Sequence, residues 1–113
     1  MSGRYVPDTG HIIKVDLNPS SGHEQAGWRP ALVISEAAYN GAANLAIICP
    51  ITNQVKGYPF EVPIPAGEAV AGVVLADQIK AADLTARRAK LLGQAPRVVL
   101  ETTRQYISII LGL

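Results

Sequence analysis

From His11 to Leu17 the chain alternates: Ile13, Val15 and Leu17 fall on one face and Lys14 and Asp16 on the other, the period-two pattern of a half-buried strand. Asn18-Pro19-Ser20-Ser21-Gly22 has turn chemistry, and a polar stretch continues through His23, Glu24, Gln25, Ala26 and Gly27 to Trp28. A long loop between strands is a frequent seat of function. Arg29-Pro30 opens a second strand, Ala31 to Ile34, because a proline at the first strand position forfeits no ladder donor. Arg29 then stands where loop meets sheet. After a short polar and alanine-rich link through Tyr39-Asn40-Gly41, the run Leu45-Ala46-Ile47-Ile48-Cys49 is apolar on both faces and reads as a central strand, ending at Pro50-Ile51-Thr52.

Tyr58 to Ile64 again alternates, but Pro59 and Pro63 remove ladder donors and place it on a sheet edge. Gly72 to Ala76 is the next strand and runs into Asp77-Gln78-Ile79. Arg88 to Gly93 reads as a last strand, with helix as its competitor on propensity. The C-terminus is helical: Pro96 suits a first turn, and Val99, Thr103, Tyr106 and Ile110 recur at spacings of four, three and four, widened by Leu100, Ile107 and Leu111. The pattern predicts a mainly β, α+β fold: a small antiparallel barrel-like sheet with appended helices, one of them C-terminal. With 113 residues and no repeat, linker or low-complexity segment, a single domain over residues 1–113 is expected.

Composition sharpens this only in part. A hydrophobic fraction of 49% against 17% charged supports a packed core and excludes a disordered chain. The net charge of +1 carries no global signature of nucleic-acid binding, so any such site is a local patch. Cys49 is the only cysteine, which excludes an internal disulfide or a multi-cysteine metal site and reads as a small buried residue. Met1 to Tyr5 is not followed by a signal-type apolar stretch, and no apolar run approaches the ~18 residues that span a bilayer. A cytoplasmic protein without membrane contact is expected.

Known catalytic patterns are mostly missing. His11 and His23 lie on different predicted segments with no His/Cys cluster at ligand spacing, there is no Gly-x-Ser-x-Gly elbow, and no glycine cluster joins a strand to a helix as a phosphate loop does. What remains is polar: Glu24 and Arg29 flank one loop, and Thr52 and Lys56 belong to another, Thr52 to Gly57. Cutting RNA through its own 2′-hydroxyl requires a base for that proton, donors for an anionic phosphorane and a proton for the departing 5′-oxygen. Glu can supply the base, Arg and Thr the donors. Each also has an ordinary role: a solvated strand-end charge for Arg29, a loop solubiliser for Glu24, a turn residue bonded to its own backbone for Thr52. Trp28 reads as a core edge or subunit contact, with stacking on a base as the alternative. Arg87-Arg88 with Lys90 reads as an exposed strand face or a small basic patch.

Several stretches taken in order resemble MazF/PemK-type toxins: Arg4-Tyr5-Val6-Pro7-Asp8 before Gly10, then Asp16, Pro19, Gly22 and Glu24-Gln25-Ala26-Gly27-x-Arg29-Pro30-Ala31. Pro50-x-Thr52, Lys56-Gly57-Tyr58-Pro59-Phe60-Glu61-Val62 and Leu75-Ala76-Asp77-Gln78 continue the likeness over nearly the whole chain. The specificity lies in the ordered set, since a Gly-x-Arg-Pro or an Ala-Asp-Gln alone is a weak signal.

The resemblance implies an SH3-like barrel with appended helices, a two-fold homodimer, and sequence-specific cleavage of single-stranded RNA to 2′,3′-cyclic phosphate and 5′-hydroxyl ends with no cofactor or metal. It implies Arg29 as proton donor and transition-state clamp, Thr52 as the residue that places or stabilises the phosphate, and Glu24 in a supporting or general-base role. Gln25, Lys56 and Gln78 correspond to RNA-contacting parts of the family. It also implies an antitoxin whose acidic, disordered tail occupies the RNA groove. Leu17 and Trp28 depart from the family's usual residues, which points to a different base preference. The competing reading is a non-catalytic toxin of the same fold that poisons DNA gyrase by protein contact; retention of Arg29 and Thr52 argues against it. A third, an inert interaction module, leaves those polar residues without a common purpose.

Overall fold

Neighbouring strand residues point to opposite faces of a sheet, and this chain buries both. In the computed structural model, which describes residues 4–16 and 27–113, Ile12, Leu32, Cys49, Ile51 and Val74 pack on one face against Val99 and Ile107 of the C-terminal helix. Ile13, Val15, Ala31, Val33 and Ile48 form a second cluster on the other face. The strand expected to be half-buried is thus covered on both sides, with Ile12 only 1% exposed. Leu17 lies outside the described residues.

The strands are β1 (His11–Asp16), β2 (Trp28–Val33), β3 (Leu45–Thr52), β4 (Glu61–Pro63), β5 (Val73–Leu75), β6 (Lys80–Asp83) and β7 (Lys90–Gln94). They form one antiparallel sheet in the order β4-β5-β3-β2-β1-β7, with β6 paired to β3 off that path. β3 is the centre, as its two-faced apolar run predicts: its first half pairs with β6, its middle with β2 and its last residues with β5. β4 is an edge strand, shorter than the alternation from Tyr58 suggests. Among the described residues no ladder joins β4 to β7, so the sheet curves like a barrel without closing. β7 is a strand, not the competing helix, and its ladder with β1 shifts register between Ile12 and Ile13.

Two elements correct the reading of the sequence. The link through Tyr39-Asn40-Gly41 is a helix, α1 (Ala37–Ala43). Asn and Gly favour turns, but here tertiary contacts override propensity: fully buried Asn40 donates through Nδ2 to the Pro7 carbonyl at 2.8 Å and the Ser35 carbonyl at 3.0 Å. The Asp8 carboxylate accepts from the backbone N–H groups of Ala37 and Thr9, which hold its pKa below the usual value. β6 was the other unforeseen element; Lys80-Ala81-Ala82-Asp83 has no β-branched residue and is a strand because it completes the ladder on β3.

The C-terminal helix α2 (Arg97–Leu111) starts one residue after Pro96 and ends at Gly112 in the left-handed conformation. Its buried stripe is Val99, Thr103 and Ile107, with the Thr103 hydroxyl donating to the Val99 carbonyl. Ile110, expected on the stripe, is exposed, as are Ile109, Leu111 and Leu113. No helix among the described residues is long and apolar enough to cross a membrane.

Candidate functional site

β2 begins, and β3 ends, at the same margin of the sheet. Ala31 pairs with Pro50, so the register carried two residues further along both strands brings Arg29 level with Thr52 on one face. The surface agrees with the ladder. Arg29 and Thr52 both line a cavity of about 340 Å³ with Trp28 and Asn53, and both line another of about 220 Å³ with Gln78 and Lys80. A third cavity, of about 280 Å³, is lined by Thr52, Lys56, Tyr58, Asp77 and Gln78 among others. Thr52 borders all three, and Leu75 and Gln78 border two of them, so the cavities adjoin as one grooved surface around this residue.

Local chemistry sets each side chain. Thr52 Oγ1 accepts from the Gln54 N–H at 3.1 Å, the backbone bond of an ordinary turn threonine. That bond uses a lone pair and leaves the hydroxyl hydrogen to donate. Glu61 closes the following loop by accepting from the backbone N–H groups of Lys56 at 3.2 Å and Gly57 at 2.9 Å. Gly57, at φ +77°, gives the loop its turn, and Lys56 and Tyr58 border the groove from it. Asp77 and Gln78 come from a 3-10 turn (Ala76–Gln78) anchored by fully buried Ala76. Arg29 is exposed, and no carboxylate among the described residues pairs with it.

Of the residues singled out in the sequence, the structure therefore gathers Arg29, Thr52, Lys56 and Gln78 in one groove. Glu24 and Gln25 lie outside the described residues. Asp77, marked in the sequence only as part of the Asp77-Gln78 segment that resembles an RNA-contacting part of the family, adds a carboxylate to the lining that Lys56 and Tyr58 share. Cys49 is buried, and burial pushes its thiol up to about 12. No cluster of three or more His, Cys, Asp or Glu side chains among the described residues could hold a metal ion.

Residues 8–111 match the model of the PemK-like, MazF-like toxin family of type II toxin-antitoxin systems. The chain belongs to this family. It is 43% identical over 112 residues to the endoribonuclease toxin MazF of Escherichia coli (strain K12), covering 99% of this chain and 100% of that protein. It is 42% identical over 99 residues to the endoribonuclease toxin ChpB of the same organism, covering 83% and 84% of the two chains. Among solved structures, a MazE-MazF structure from Deinococcus radiodurans matches with a TM-score of 0.93 at 50% identity, over 97% of this chain and 99% of that one. The curved antiparallel sheet with its C-terminal helix is thus the MazF fold, and the groove at Arg29 and Thr52 is carried on it.

Proposed function

We propose that this member of the MazF family, as one domain over residues 1–113, is the toxin of a type II toxin-antitoxin pair and cuts single-stranded RNA at the Arg29-Thr52 groove. The observation that carries the reading is the shared groove of Arg29 and Thr52, lined further on by Lys56, Asp77 and Gln78. The 43% identity to an endoribonuclease toxin supports the reaction class.

In the proposed reaction the substrate's 2′-oxygen attacks the adjacent phosphorus while the bond from phosphorus to the 5′-oxygen breaks, leaving a 2′,3′-cyclic phosphate and a 5′-hydroxyl. Glu24 takes the 2′-hydroxyl proton. Arg29 clamps the phosphorane and donates toward the departing 5′-oxygen, and the Thr52 hydroxyl donates to a non-bridging oxygen. Gln25, Lys56 and Gln78 contact the RNA beyond the broken bond. The chemistry assigns every charge to a side chain and calls for no cofactor. A gyrase-type, purely protein-binding toxin gives the Arg29-Thr52 pair no task.

The protein works in the cytoplasm as a homodimer. Its partner is an antitoxin with an acidic disordered tail that lies in the groove, where Arg29, Lys56 and Lys80 supply cations. The solved MazE-MazF relative supports a toxin-antitoxin pairing on this fold. The test is cleavage of a labelled RNA in excess EDTA, as a single strand and as a duplex. Cutting of the single strand alone is expected, because bases are read on edges that pairing conceals; metal dependence or equal cutting of the duplex would overturn the assignment.

A further inference from the structure

Three cations converge on one indole ring. Lys14 Nζ lies 5.1 Å, Arg88 Cζ 5.3 Å and Lys90 Nζ 5.7 Å from the centroid of Trp28. They come from β1, the turn before β7, and β7. The attraction of a cation for an aromatic face accounts for each contact separately. It does not account for all three together, since Lys14 and Lys90 are direct partners across the ladder of β1 and β7, and like charges so placed repel. Asp16, the ladder partner of Trp28, offsets one charge at most. Among the described residues the cluster keeps an excess of positive charge around an aromatic ring that is 37% exposed.

This combination suits a nucleotide better than a peptide carboxylate: cations for the phosphate and an aromatic surface for the base are how single-stranded nucleic acid is commonly held. The cluster also adjoins the groove, because Trp28 lines the cavity of about 340 Å³ that contains Arg29 and Thr52. We propose that Trp28, Lys14, Arg88 and Lys90 form a second RNA subsite, which holds a nucleotide flanking the cleaved bond, its phosphate against the cations and its base against the open part of the indole. The proposal rests on the reading of the groove as an RNA-cleaving site. It gives the cluster a part in affinity and none in bond breaking.

Trp28 is the only tryptophan in the chain, so its fluorescence reports on the surroundings of this one ring. The full-length protein is titrated with two oligonucleotides lacking the 2′-hydroxyl at the mapped cleavage position, one trimmed to the bases around that bond and one extended on both sides. The extended strand quenches Trp28 more strongly than the trimmed strand, and only the extra quenching is lost in Lys14→Gln/Lys90→Gln. Lys14→Gln/Lys90→Gln raises Kd for the extended strand by roughly tenfold and flattens its salt dependence by ~0.7 log units per lost phosphate contact, while kcat on cleavable RNA is unchanged. Absence of quenching, an equal effect of the variant on both strands, or a loss confined to affinity for an acidic antitoxin peptide would each overturn the subsite. Failure of the wild-type protein to cut any RNA would overturn the groove reading instead; quenching by a long single strand without a mapped bond, lost in Lys14→Gln/Lys90→Gln, would then still read the cluster directly.

Discussion

Gly72 lies so close to the main chain of Thr52 that a β-carbon on it would overlap the Thr52 carbonyl oxygen, and its φ of +117° is one that side-chain-bearing residues rarely adopt. One residue later, Val73 pairs with Thr52 across the ladder of β3 and β5. The main chain that carries the Thr52 hydroxyl is therefore packed against a glycine that immediately precedes β5. Gly72→Ala is expected to displace the end of β3, lowering both Tm and the rate of RNA cleavage. Thermal melts and single-turnover rates check this; unchanged values in both would show that β3 yields freely at this point.

Arg29→Ala is expected to slow cleavage by ~10²-fold or more, the usual loss when a single donor to the transition state is removed. The side chain is exposed, so the melting temperature should stay within a few degrees of wild type. A variant that cuts at the normal rate would remove Arg29 from the reaction.

At Thr52 the two natural truncations separate hydroxyl from methyl. Thr52→Ala should lose activity, though less than Arg29→Ala, because it removes one neutral donor and leaves the cation in place. Thr52→Ser should keep most of it. Equal loss in both, measured on the same RNA, would assign the effect to the methyl group's packing.

Cys49 gives a pH signature. Its thiol is pushed from 9.0 up to about 12 by burial first and by the Asp77 charge second, so the unfolded chain releases this proton earlier than the folded one. Stability is untouched below about 9 and falls as pH rises from there toward about 12. Denaturant midpoints across that range should decline less in Cys49→Ala once the offset from its smaller side chain is subtracted. At neutral pH a thiol reagent should label the unfolded protein much faster than the native one.

The end of α2 leaves Ile109, Ile110, Leu111 and Leu113 exposed, and Leu91 and Leu92 of β7 are exposed as well. Apolar surface of this kind is usually covered by a second copy under closed symmetry. Sedimentation at micromolar concentration is expected to give a dimer. Ile109→Glu should yield a folded monomer; a wild-type monomer would refute the expectation.

The elements legible in the sequence are those whose periodicity is strong and uninterrupted. Ile13 and Val15 marked β1, the two-faced run before Thr52 marked β3, and Val99, Thr103 and Ile107 fixed the inner face of α2. What escaped depends on partners distant in the chain. Asn40 and Gly41 look like a turn until Pro7 and Ser35 supply acceptors, and Lys80 to Asp83 look like a loop until β3 offers a ladder. The site divides in the same way. Arg29 and Thr52 were nominated by ordered family motifs, whereas their meeting is a fact of strand register. The gathering of Lys14, Arg88 and Lys90 at Trp28 had no trace in the sequence beyond a short basic run, because it needs three strands side by side.

The groove has two arms that adjoin at Thr52, with Arg29 on one and Lys56, Tyr58 and Asp77 on the other. The arms share Thr52, Leu75 and Gln78, while Lys56, Tyr58 and Asp77 line only the second, so those three can be rewritten by mutation while Arg29 stays as it is. On the proposed reading of the groove, choice of target and power to cut are then inherited largely independently. Descendants of a single toxin that differ only along the Lys56 arm should silence different sets of messages with the same blade.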